Sequence, residues 1–150
     1  MPAPTIPGVQ TFGGLGRNHV EGTVHYAQVP PVGGDHAPIW QSCGFYTMPI
    51  QTERGVHSME HGAVWITYRP GLPAAQIAAL QAFVGNPFVL VTPWPGLRAP
   101  VVLSAWGLQL AVDDAKDSRV AQFVGAYAHG PQTPEIGVQC LGGATDTPGT

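Results

Sequence analysis

The chain has 150 residues, enough for one domain that buries roughly 70% of its unfolded surface, so it needs no metal merely to fold. Charged residues are only 10% of it, the net charge is −3 and Lys and Arg form no cluster, which argues against nucleic acid or an anionic membrane surface as partner. Apolar content of 44% beside 20 glycines and 16 prolines points to a loop-rich globular fold with many fixed turns.

In chain order, residues 1–18 are rich in Pro and Gly and read as an extended N-terminal arm. The start, Met1 to Thr5, has neither the basic nor the apolar region of an export signal, and no run approaches the length of a transmembrane helix. The expectation is a mature or trimmed form whose signal or anchor lies outside the chain. Val20 to Val29 is predicted as a first strand, with Val24 and Tyr26 on its buried face. Pro30-Pro31-Val32-Gly33-Gly34-Asp35 is a loop that delivers His36 from a constrained backbone. Cys43 to Tyr46 starts a short extended piece, and Gly62 to Tyr68 is a β-branched and aromatic strand.

Pro73 opens an Ala-rich helix that Gly85 ends. Phe88 to Val91, Pro100 to Trp106 and Leu108 to Val112 follow as strands. Asp117 and Ser118 cap a second helix whose Val120, Phe123, Val124 and Tyr127 share one face. Beyond Gly130-Pro131 the chain is polar and turn-rich, and residues 141–150 read as a flexible tail. These elements predict an α+β fold: a single compact domain over residues 19–140, with a small, mostly antiparallel sheet covered by two helices.

Five of the six histidines lie between His19 and His61, and that segment holds the chain's only concentrated chemistry. His25 is expected to face solvent, and His129 suits a helix C-terminus, where a cation favours the dipole. His57 and His61 are four apart in Val56-His57-Ser58-Met59-Glu60-His61-Gly62. On a helix they share a face, with Glu60 brought nearer. On an extended segment His57, Met59 and His61 align, and the thioether would favour reduced copper. The Gly and strand that follow favour the extended form. The zinc-protease motif His-Glu-x-x-His is missing, because Glu60 precedes the second histidine.

Cys43 and Cys140 form no Cys-x-x-Cys pair, so redox catalysis is not expected of them. They are either two buried thiols or a disulfide tying the tail to the middle of the domain. Ser58 lacks the Gly-x-Ser-x-Gly elbow of a nucleophile.

Several of these segments together resemble the DUF3105 family. They are His19-Val20-Glu21-Gly22-Thr23-Val24, Pro30-Pro31-x-Gly33-Gly34-x-His36, Cys43-Gly44-Phe45-Tyr46 and Val56-His57-Ser58-Met59-Glu60-His61-Gly62-Ala63-Val64. The likeness continues through Pro93-x-Pro95-Gly96, Pro100-Val101-Val102, Ala105-Trp106-Gly107 and Gln132-Thr133-Pro134-Glu135. Members of that family, frequent in actinobacteria, commonly follow an N-terminal membrane anchor. The resemblance therefore implies an extracytoplasmic domain, held to a membrane only through an anchor absent from this chain, and a Cys43–Cys140 disulfide. It implies histidines at positions matching His19, His36, His57 and His61, but supplies no activity.

The reading that follows is a transition-metal site, copper first and zinc as the alternative. His36, His57 and His61 are its direct ligands. His19 is a fourth ligand or supports the others from behind, and Met59 joins in the extended geometry. Glu60 is expected to bond a ligand's second nitrogen and fix its tautomer. Partners would be the metal ion and another extracytoplasmic protein. Two other readings stand beside it: a metalloenzyme with Glu60, Glu53 or Asp35 as base, and a non-metal interaction module in which the histidines bond loop backbone.

Overall fold

The computed structural model describes residues 6–148, so the first five residues of the expected arm and the last two of the expected tail lie outside the described residues. The fold is α+β, with a six-stranded mixed sheet and three α-helices. In chain order these are β1 (Gln10–Thr11), β2 (Gly44–Phe45), α1 (Thr52–Glu60), β3 (Val64–Tyr68), α2 (Ala74–Gln81), β4 (Val89–Pro93), β5 (Val101–Ala105), β6 (Leu108–Val112) and α3 (Ser118–Tyr127). The strand order is β1-β6-β5-β3-β4-β2. β3 is its hinge: it pairs antiparallel with β5 and parallel with β4, the parallel step being bridged by α2.

Alternation along the strands divides the two faces of the sheet. Val64, Ile66 and Tyr68 of β3, with Val89 and Val91 of β4, point to one side. There they meet Leu80 of α2 and Val120, Phe123, Val124 and Tyr127 of α3. This is the two-helix cover that the helical periodicities require. Asp117 caps α3 by accepting from Arg119 N at 2.9 Å.

Trp65 and Leu90 point to the other side, against Val56 and Met59 of α1, Ile50, Cys43 and Cys140. Here the structure departs from the sequence reading: the segment holding His57 and His61 is a third helix, not an extended piece. Val56 and Met59, three apart, bury against Trp65, and that burial outweighs the pull of the following strand. Gly62 is the stop signal, adopting φ 113° just past the helix and donating to Met59 O at 3.0 Å.

The rest of this face is polar. Thr67, Thr92, Ser104 and Gln109 are buried on it, and the long irregular stretch before β2 lies across it. Gln109 Nε2 donates to Pro30 O at 2.8 Å and to Ser104 Oγ at 2.9 Å. The strand expected over Val20 to Val29 does not form. Its backbone is satisfied by side chains instead, as where Val24 N donates to Glu53 Oε2 at 3.0 Å. The expected arm contributes β1, which pairs with β6 at the sheet edge.

Cys43 and Cys140 are joined by a disulfide with a Cα–Cα distance of 5.4 Å, and both are buried. Backbone bonds flank it: Cys43 N donates to Cys140 O at 3.0 Å, and Ser42 N to Ala144 O at 2.8 Å. A buried disulfide of this kind is typical of proteins that fold in an oxidising environment. No helix among the described residues is long and apolar enough to cross a membrane.

Candidate metal centre

Four segments far apart in sequence converge beside the C-terminal half of α1. The helix supplies His57, Glu60 and, at its C-cap, His61; spacings of three and four put them on one face. The Gly33-Gly34 loop supplies His36. Residues 18–20 run parallel to it, with His36 N donating to Asn18 O at 3.0 Å and Val20 N to His36 O at 2.8 Å, and this brings His19 beside His36. The disulfide-tied tail supplies Glu135, whose N donates to Glu60 O at 3.0 Å.

His19, His36, His57 and Glu60 each offer a ligand atom, and these atoms all lie within 4.8 Å of one another. His36, His57 and Glu60 are buried, while His19 is exposed and forms the solvent side. The imidazole of His36 is centred 4.9 Å from that of His57 and 5.0 Å from that of His19.

Backbone carbonyls fix the tautomers. His36 Nδ1 donates to Gly34 O at 2.8 Å, His57 Nδ1 to Ala37 O at 2.7 Å and His61 Nδ1 to Gln139 O at 2.9 Å. A carbonyl can only accept, so each Nδ1 carries a proton and Nε2 is the nitrogen left to meet another group. Each Nε2 faces a second nitrogen or a carboxylate oxygen. His36 Nε2 lies 3.1 Å from Glu60 Oε1, and neither atom makes a hydrogen bond in the protein. His57 Nε2 lies 3.1 Å from His61 Nε2. Burial, the largest effect, pushes the His57 imidazole down from 6.5 to about 4; the Ala37 carbonyl raises it, and His61 and His36 lower it further. His57 is therefore a neutral acceptor at pH 7.

The donor set fits a metal ion on chemical grounds. Two atoms about 2.0–2.1 Å from one ion lie about 2.9 Å apart at a right angle and about 3.3–3.4 Å apart at a tetrahedral one. The 3.1 Å between His36 Nε2 and Glu60 Oε1 falls within that range.

Of the sequence candidates, His19, His36 and His57 come together. His61 lies beside them, in a second grouping with Glu60 and Glu135. Met59 does not share the face of His57. At about 100° per residue it sits some 200° around the helix, and its side chain is buried among Trp65, Leu90 and the disulfide. Glu60 takes a different place from the one expected: the carbonyls already fix the tautomers, and its carboxylate faces the ligand nitrogen of His36. The signal for it was its position three residues after His57, readable only once the segment is helical. Glu135 carried no sequence signal beyond the Gln-Thr-Pro-Glu run. His25 is exposed, and the His129 ring stacks on Phe88 at 4.3 Å.

The family model described as "Protein of unknown function (DUF3105)" matches residues 19–142. The chain belongs to the DUF3105 family. No curated protein and no solved structure matches it. The DUF3105 span begins at His19 and contains both cysteines and all six converging side chains, so the whole centre lies within the family domain.

Proposed function

We propose that this protein binds a transition-metal ion outside the cytoplasm, with copper as the resident metal and His19, His36, His57 and Glu60 as ligands. One observation carries the reading: three imidazoles and a carboxylate bring ligand atoms within 4.8 Å of one another, and the buried His36 Nε2 and Glu60 Oε1 face each other without a hydrogen bond in the protein. Three neutral imidazoles and one carboxylate suit Cu(II) and Zn(II), and Cu(II) is the stronger binder in the divalent series. Met59 is turned into the core, so its thioether is not offered to reduced copper. The disulfide supports the same oxidised state. Exposed His19 is the ligand that a donor or acceptor protein in the same compartment would meet first.

The test is metal analysis of untagged protein, followed by Cu(II) and Zn(II) titration. Trp40 reports binding, because its ring is centred 5.9 Å from that of His57 and 5.0 Å from that of His61. The expected result is tight Cu(II) binding with quenched Trp fluorescence, lost in His36→Ala/His57→Ala. In His19→Ala, where the changed residue is exposed and folding is safe, affinity falls at least tenfold. Binding that is equally tight in all three proteins refutes the reading.

A further inference from the structure

Beyond the single ion proposed above, and resting on that reading, we infer that the centre is dinuclear: His61 and Glu135 hold a second divalent ion, and Glu60 is shared with the first. Glu60, His61 and Glu135 offer ligand atoms that all lie within 4.8 Å of one another. His61 is buried, and the Gln139 carbonyl takes its Nδ1, so Nε2 is the atom turned toward the cluster. It lies 3.1 Å from His57 Nε2 and 3.6 Å from Glu135 Oε2. An ion among His61, Glu135 and Glu60 would take all three as ligands. Ions that share a carboxylate in two-metal sites stand about 3.5–4 Å apart, and the abutting His57 and His61 nitrogens suit neighbouring ions at such a distance.

The position is built rather than incidental. Glu135 is held to the end of α1 by its backbone bond to Glu60 O, and Gln139, which orients His61, directly precedes Cys140 of the disulfide. One contact opposes the second ion. Arg17 Nε donates to Glu60 Oε2 at 3.1 Å. The Arg17 side chain is 49% exposed, so it can turn to solvent as an ion takes its place on that oxygen. The second ion binds more weakly than the first, since Arg17 must leave, Glu135 is 41% exposed and the first ion repels it.

The test adds Cu(II) stepwise to untagged wild type, Glu135→Gln and Arg17→Gln. Bound metal is counted by equilibrium dialysis, and the Cu(II) electron paramagnetic resonance signal is integrated at each step. Wild type is expected to bind two ions per chain, the signal of the first diminishing as the second couples to it. Glu135→Gln stops at one ion and keeps the full signal. Arg17→Gln takes up the second ion at lower free Cu(II). If wild type stops at one ion, the dinuclear inference falls and the single-ion reading stands. Two ions in Glu135→Gln, or two without loss of signal in wild type, also overturn it. No bound copper in any of the proteins overturns both readings.

Discussion

Gly55→Ala sets two effects against each other at the helix that carries the centre. Gly55 is inside α1, so alanine there gains about 1 kcal/mol of helix propensity. A Cβ at this position, however, lies 2.5 Å from two carbons of the Trp65 ring and 2.9 Å from a third. Ordinary carbon contacts are about 3.5–4.0 Å, so the overlap is about 1 Å. Trp65 cannot easily yield: it is fully buried, and its Nε1 donates to Thr92 Oγ1 at 3.0 Å. Overpacking costs about 1–3 kcal/mol and belongs at the upper end here, with about 1 kcal/mol more if the Thr92 bond is lost. The clash wins, for a net loss of about 1–3 kcal/mol. Urea unfolding of the metal-free protein should show a midpoint lower by about 1 M, taking a slope of about 2 kcal/mol per M. Moving α1 off the sheet also moves His57 and Glu60, so Cu(II) affinity should fall with stability. A midpoint that rises by the propensity gain alone would falsify the claim that Trp65 sets the depth of this helix.

Three further outcomes follow. His57 takes up a proton near 6.5 when unfolded but only near pH 4 when folded, so metal-free stability is full above pH 6.5 and declines between 6.5 and 4. At about 1.4 kcal/mol per pH unit the loss approaches about 3 kcal/mol; urea midpoints measured with chelator should show it, and an equal decline in His57→Gln would count against it. Reduction of Cys43–Cys140, which spans 97 residues, removes up to about 4–5 kcal/mol on chain entropy. Loss of the bridge also loosens Gln139 and Glu135, so Cu(II) titration of Cys43→Ser/Cys140→Ser, with no reductant present, should lose the second copper equivalent before the first, and unchanged stoichiometry would contradict this. Glu60→Gln keeps shape but removes a buried charge. Cu(II) affinity should drop at least tenfold while metal-free stability holds or rises, since a buried carboxylate is costly without full compensation; a large loss of metal-free stability would assign Glu60 a structural role instead.

The sequence was most legible where one rule acted alone. The β-branched and apolar runs of β3 to β6 and the i, i+3, i+4, i+7 face of α3 identify the elements that build the apolar core on one side of the sheet. It was least legible where two rules competed. Gly62 reads as the approach to a strand, yet also as the residue just past a helix end, and only the burial of Val56 and Met59 against Trp65 decides between them. That single choice sets which residues can be ligands: an extended segment selects Met59, a helix selects Glu60. Val24 and Tyr26 suggested a ribbon, but the partners of that stretch are Glu53 and the Asp35 carbonyl, brought to it by other elements. No local pattern encodes such bonds.

The arrangement of the ring nitrogens is what favours the proposed metal centre over a structural histidine cluster. A histidine kept only for packing would spend both ring nitrogens on groups of matching polarity. Here the fold spends Nδ1 of His36, His57 and His61 on carbonyls of three separate loops, and so turns every Nε2 toward the others and toward Glu60. Arg17 relieves one carboxylate oxygen from the solvent side, while His36 Nε2 and Glu60 Oε1 stay without a hydrogen bond in the protein. A polar arrangement that conflicts with local stability is expected to persist at a functional site, and the divalent cation proposed here would resolve this one at the atoms where the conflict lies.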